Sequence, residues 1–190
     1  MELLYRNLIP LLWIAWALYW WIAARDVKPA VRHETAASRA VHLVPLALAA
    51  LLLSTRHFPI AVLDAPMFAA TPKTFSLGAL ILAAGLSVAV WARAVLGRNW
   101  SGTVTLKQDH ELVRAGPYRW VRHPIYTGLL LGVFGTAVAI GEWRGVAAML
   151  LATFALWRKS LIEERWLIEA FGESYLQYRR EVAALIPYLL

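Results

Sequence analysis

Two stretches of this 190-residue chain carry side chains whose type and spacing suit chemistry. The first, Leu112-Val113-Arg114-Ala115-Gly116-Pro117-Tyr118-Arg119-Trp120-Val121-Arg122-His123-Pro124-Ile125-Tyr126-Thr127-Gly128, gathers guanidiniums, an imidazole and phenols around a proline that opens an apolar run. Gly116-Pro117 marks a turn. A residue before proline is pushed out of the α region, and proline itself suits a first helical turn. The sequence therefore predicts a loop ending at His123 and a helix beginning at Pro124. Arg119, Arg122, His123 and unpaired backbone N–H groups then surround a helix N-terminus, a place that attracts anions through both the N–H groups and the macrodipole. Taken alone, these residues fit two partners: a lipid phosphate held by Arg119 and Arg122, with His123 bonded to a loop, or a small anionic ligand.

The second stretch centres on Glu163-Glu164 within Lys159-Ser160-Leu161-Ile162-Glu163-Glu164-Arg165-Trp166-Leu167. Adjacent residues on a helix point about 100° apart, so the two carboxylates are expected to have different targets. Leu161, Glu164, Leu167, Ile168 and Phe171 follow the spacing of one buried stripe, which puts Glu164 inward and Glu163 toward Lys159. An inward carboxylate near lipid needs a cation, either a protein Arg or Lys or the ammonium or sulfonium of a ligand. A surface Lys159–Glu163 pair with Glu164 solvated is the plainer alternative. Tyr175 and Tyr178 read as interface anchors or packing residues.

The elements that hold these stretches follow from composition. Apolar residues make up 60% of the chain and charged residues 16%, against roughly 45–50% and about 25% in soluble domains. With a mean hydropathy of +0.55, an integral membrane protein is expected. The chain has no cysteine, which excludes disulfides, thiolate metal ligands, iron–sulfur clusters and a cysteine nucleophile. No metal site is expected. The net charge of +7 sits between apolar runs, so the partner it implies is anionic lipid and not nucleic acid.

Runs poor in charge cover 8–24, 40–55, 74–92, 124–141 and 145–157. Crossing a bilayer takes about 20 helical residues, so the second run is expected to continue through Leu63 and the fifth to Ile162. The fold class is then all-α, a polytopic membrane bundle of about five transmembrane helices. It forms one domain over 1–190, with N-terminal spans in 1–96 and a cofactor-binding half in 97–190. Met1 to Asn7 carries one acid and one base, and the run after it holds four tryptophans, so it reads as an uncleaved anchor and not a signal peptide. In this five-span arrangement 4 of the Lys and Arg residues fall on one side and 15 on the other. The positive-inside rule then places the N-terminus outside, with the C-terminus and both polar stretches in the cytoplasm. Gly128, Gly132 and Thr136 form a small-residue face on the fourth helix, and the short Glu142-Trp143-Arg144 turn suggests the fifth helix as its neighbour.

The ordered stretch from Gly116 to Gly128, followed by Glu163-Glu164, Phe171-Gly172, Tyr175, Tyr178 and Ile186-Pro187, resembles the isoprenylcysteine carboxyl methyltransferase family. That family belongs to a wider group of membrane methyltransferases that includes phospholipid N-methyltransferases, and the likeness covers residues 93–187. It implies S-adenosyl-L-methionine as cofactor, in a cytosol-facing pocket built from the Arg-His-Pro-x-Tyr-x-Gly segment and the C-terminal helices. A lipophilic or lipidated substrate would enter from the bilayer. On this resemblance His123, Pro124, Tyr126 and Gly128, with groups near Leu112, Val113, Trp120 and Val121, line the cofactor pocket. Arg122, Glu163 and Glu164 become the catalytic candidates, Glu164 also touching the cofactor. Family members commonly carry Arg where this chain has Lys159, which offers a point charge without the planar fork.

The cofactor's carboxylate, ammonium and sulfonium match a set made of Arg, His, a helix N-terminus and paired Glu. Methyl transfer to a carboxylate annihilates charge and is favoured in a dry pocket without a base. An amine or thiol acceptor loses a proton, for which Glu163, Glu164 or His123 are candidates. The resemblance leaves phospholipid N-methylation and thiol S-methylation as alternatives. NADPH-dependent membrane sterol-type reductases have a similar Arg-His-Pro-x-Tyr-x-Gly stretch but are usually much longer. A non-enzymatic scaffold or haem-associated protein would rest on His42, which more often bonds a neighbouring helix. A bacterial or archaeal inner membrane is the expected location.

Overall fold

The structure, a computed structural model, describes residues 2–25, 27, 30–55, 58–100, 105–107 and 112–187. Its elements in chain order are α1 (Glu2–Ala23), β1 (Ala30–His33), α2 (Ala36–Ser54), α3 (Pro72–Leu96), β2 (Thr105–Lys107), α4 (Pro124–Ile140), α5 (Trp143–Phe171) and α6 (Glu173–Glu181). Among the described residues three helices, Ala36–Ser54, Pro72–Asn99 and Trp143–Phe171, are long and apolar enough to cross a membrane, and Asn7–Ala23 and Pro124–Ile140 are shorter apolar helices. Of the Lys and Arg residues behind the expected orientation, Lys28, one of the 15, and Arg56, one of the 4, lie outside the described residues.

The centre of the bundle is the antiparallel pair α3 and α4. A Cβ added at Gly85 would stand 2.6 Å from the Gly128 carbonyl oxygen, and one added at Gly128 would stand 2.5 Å from the Gly85 carbonyl oxygen. Gly78 meets Gly135 and Ala139 in the same way. The small face of α4 therefore packs on α3 and not on α5, which corrects the expectation drawn from the short turn. The reason is complementarity: α3 brings its own glycines to the same levels, so two backbones approach closely and gain dispersion along their length. α5 touches α4 through Gly145 against Ala137. It packs instead on α2, where Ala49 and Leu52 meet Ala148 and Ala152.

The expected run of α2 through Leu63 does not occur. The helix stops at Ser54, and Thr55 is extended with its N–H on the Leu51 carbonyl. Pro59 offers no donor and disfavours helix at the residue before it, so the chain turns where apolarity alone would continue. The Phe58 N–H is taken by Asp64 at 2.7 Å, and the Arg144 N–H by the Leu63 carbonyl at 2.8 Å.

Three features of the fold do not follow from the sequence pattern. A short antiparallel ribbon pairs β1 with β2 beside the helical bundle and ties the α1–α2 connection to the segment before α4. Gly172, at φ 54 and ψ −128, breaks the helical line and starts α6 in a new direction; this conformation is open to glycine and strained for other residues. Beyond α6 the chain straps back over the start of α4. Arg122 N–H donates to the Ala183 carbonyl at 2.8 Å and His123 N–H to the Ala184 carbonyl at 3.0 Å, while the Thr127 hydroxyl donates to the Leu185 carbonyl at 2.6 Å.

Candidate active site

As the proline rule requires, α4 begins at Pro124, with His123 as the residue before it at φ −122 and ψ 60. The strap holds its N–H, so the imidazole is aimed into the bundle, where it is 7% exposed. The ring lies parallel to that of Tyr126, three residues on, with planes 3° apart and centroids 5.4 Å apart.

α5 runs unbroken from Trp143 to Phe171 and brings both carboxylates to this ring. Nε2 of His123 is 3.2 Å from Glu164 Oε1, and Nδ1 is 3.5 Å from Glu163 Oε2. The expectation of separate targets is thus corrected. An imidazole carries its two nitrogens on different edges, so two side chains leaving a helix about 100° apart can straddle one ring.

Beyond that shared ring the two acids differ. Glu164 is 6% exposed and receives Arg122 through Nε at 2.8 Å and a terminal nitrogen at 2.7 Å, with Arg179 Nε at 3.3 Å from its other oxygen. The remaining terminal nitrogen of Arg122 donates to the Arg179 carbonyl at 3.1 Å and to the Val182 carbonyl. Arg122 is therefore a strut between α5, α6 and the strap. Glu163 is 23% exposed and accepts from the Tyr126 hydroxyl at 2.5 Å. Lys159 stands 5.4 Å from the centroid of the Tyr126 ring. The inward and outward sides assigned to Glu164 and Glu163 are those observed.

Burial pushes the His123 imidazole toward its neutral form, but the facing Glu163 and Glu164 carboxylates outweigh it and hold its pKa above the ordinary histidine value. Burial raises the phenol of Tyr118 far above its usual range, raises that of Tyr175 and pushes Tyr178 up to about 12. These phenols stay protonated and act as donors: the Tyr178 hydroxyl donates to the Tyr118 carbonyl. Tyr175 is 1% exposed, its hydroxyl has no hydrogen-bond partner among the described residues, and it lies within electrostatic reach of Glu164 and Arg122.

The structure brings Arg122, His123, Tyr126, Glu163 and Glu164 together, with Pro124 buried at the helix start. Val121 is buried and pairs its backbone with Ala183. Val113 is half-buried and packs with the cluster of Tyr118, Ile125, Tyr126 and Leu185, and Leu112 beside it is also half-buried. Trp120 points outward, edge-on to Trp91 at 5.7 Å, with Arg119 5.4 Å from its ring. Gly128 faces α3 and serves helix packing. Sequence reasoning missed Arg179 and the orphaned hydroxyl of Tyr175. Their signal was present: Tyr175, Tyr178 and Arg179 share one face of a helix at three- and four-residue spacing, but only once Gly172 is seen to start that helix. His42 lies in a separate cluster with Glu34 and Arg158, bonding α2 to α5.

A family model described as phospholipid methyltransferase matches residues 73–174. Among curated proteins, the chain is 36% identical over 121 residues to the protein-S-isoprenylcysteine O-methyltransferase of Schizosaccharomyces pombe, covering 60% of this chain and 49% of that one. The enzyme of the same name from Saccharomyces cerevisiae is 31% identical over 126 residues, 63% of this chain and 52% of its own. A cobalt-zinc-cadmium resistance protein, CzcN, of Cupriavidus metallidurans is 37% identical over 99 residues, 50% of this chain and 45% of its own. The chain spans about half the length of the curated yeast relatives it matches.

Proposed function

We propose, because this chain belongs to the phospholipid methyltransferase family, that it transfers a methyl group from S-adenosyl-L-methionine to a lipophilic acceptor at the membrane. The observation that supports this most is the convergence of Glu163, Tyr126 and His123 at the start of α4. The cofactor, when bound, supplies a methyl group activated on a sulfonium. Its three charged groups suit the residues present: Glu163 is a partly exposed acid, Tyr126 and His123 are donors beside it, and the Tyr175 hydroxyl is a buried donor.

Glu163 and Tyr126 are the groups we assign to direct contact with the cofactor. Glu164 and Arg122 are positioning residues, since each is already consumed by neighbours and acts by fixing His123, α6 and the strap. Pro124 and Val121 set the backbone at the pocket, with Leu112 and Val113 along its edge. We assign the acceptor to the class of a lipidated carboxylate, as the names of the yeast relatives suggest, entering from the bilayer. Such an acceptor needs no base, because anion and sulfonium neutralise one another in a water-poor pocket. Five spans with the site on the cytoplasmic side complete the reading, on the charge asymmetry of 4 against 15.

The test uses the full chain purified in detergent. Calorimetric binding of S-adenosylmethionine and S-adenosylhomocysteine, no binding of NADPH, and transfer of labelled methyl to an S-farnesylated cysteine are the expected results. Binding of NADPH in place of the adenosyl ligands would overturn the assignment.

A further inference from the structure

His123 is buried with a carboxylate facing each ring nitrogen, Glu163 at Nδ1 and Glu164 at Nε2. An ionised carboxylate only accepts, so both nitrogens must carry hydrogen for both contacts to hold, and the ring is an imidazolium. The two acids do not contribute equally. Glu164 is shared with the guanidiniums of Arg122 and Arg179. Glu163 otherwise meets the neutral phenol of Tyr126, with Lys159 nearby. The other charged or titratable groups around the ring are Arg122 on its own loop, Arg179 and Tyr175 on α6, Tyr118 before α4, and Glu34 ahead of α2, which is felt at Tyr126. The second proton of His123 is thus held chiefly by Glu163, the acid exposed enough to take a ligand.

We propose that a cationic ligand group seated on Glu163 displaces the proton of His123, so that capture of the cofactor releases a proton to solvent. This rests on the reading that the cofactor's cation meets Glu163. Before binding, imidazolium and carboxylate neutralise each other. Afterwards the ligand's cation takes the carboxylate, and an imidazolium left beside it would be a second buried cation against one acid, which burial penalises. The imidazolium therefore gives up H⁺ and becomes imidazole; no electrons move and no bond of the ligand changes. The neutral ring that results is the proton acceptor that an amine or thiol acceptor requires and a carboxylate does not.

The experiment is titration of the full chain with S-adenosylmethionine at near-neutral pH, in buffers of differing ionisation enthalpy. The expected result is an apparent heat that varies linearly with buffer enthalpy, with a slope near one proton released per site, and an affinity that rises about tenfold per pH unit below the titration of His123. His123→Gln should lose that slope and bind with an affinity that no longer varies with pH, and His42→Gln, outside the site, should keep both. A wild-type slope of zero with binding intact, or a slope retained in His123→Gln, overturns the proposal. Absence of any binding to wild type would instead overturn the cofactor reading beneath it. Should His123→Gln fail to fold, Glu163→Gln supplies the same comparison, with loss of the slope expected and its retention contradictory.

Discussion

The molecule holds two clusters of the same three residue types, and they behave differently. In one, Glu34, His42 and Arg158 join α2 to α5; in the other, Glu164, His123 and Arg122 join α5 to the start of α4. Arg158 approaches His42 Nδ1 at 3.2 Å. A guanidinium cannot accept, so that nitrogen is the acceptor and the ring is neutral, with its hydrogen on Nε2 toward Glu34 at 3.8 Å. Ser38 completes the arrangement, accepting from Arg158 at 2.8 Å and donating to Glu34 at 2.5 Å. Around His123 the guanidinium lies on the acid instead of the ring, and a second acid takes the other nitrogen. One cation facing a histidine makes a neutral helix clamp, whereas two anions facing it make a charged centre with one acid to spare. Residue types alone do not distinguish a clamp from a site; what each ring nitrogen faces does.

Glu164→Gln should have the largest effect on this contrast, because it leaves two guanidiniums and an imidazolium around an uncharged amide. Breaking a buried ion pair from one side costs about 3–5 kcal/mol, read as a lowered melting temperature in detergent. Glu34→Gln should cost less, roughly 1.5–3 kcal/mol, because Arg158 is 26% exposed and can rehydrate. Equal losses would erase the distinction between the two clusters.

The charge states give a second difference. A histidine pKa raised on folding adds stability that is complete below the unfolded value, near 6.5 for this group, and is lost as pH climbs through the folded value. Stability of the wild type should therefore decline with rising pH above that point. His123→Gln should flatten that decline and His42→Gln should leave it in place. A flat wild-type profile would mean that the imidazolium is absent. Arg179→Ala should have the smallest effect, under about 1 kcal/mol, since this partner of Glu164 is half-exposed; a larger loss would make α6 part of the centre's frame.

The elements that carry the charged centre are legible in the sequence, while its contrast with the clamp is not. The helix start at Pro124 and the continuous helix through Glu163 and Glu164 follow from local rules that tertiary structure did not override; Glu164 does face inward, but the apolar stripe behind that expectation is not buried, Leu161 being 39% exposed, and it is Arg122, His123 and Arg179 that receive the carboxylate. What was not legible depends on partners distant in sequence. The length of α2 was set by Pro59 and by the turn around Asp64, not by apolarity. The partner of Gly128 was set by Gly85 on another helix. That His123 serves both acids required knowing the orientation of a ring whose backbone is held by Ala184, 61 positions on. The pairing of Arg158 with His42 across 116 positions was hidden for the same reason.

The most direct measurement compares S-adenosylmethionine affinity in Glu163→Gln and Glu34→Gln by calorimetry. A charged hydrogen bond contributes about 1.5–3 kcal/mol, or roughly 10- to 100-fold in affinity. Glu163→Gln should lose that much while Glu34→Gln binds like wild type. Wild-type affinity in Glu163→Gln would contradict the account, because the carboxylate that sets the charged centre apart from the clamp would then not be the one that receives the cofactor.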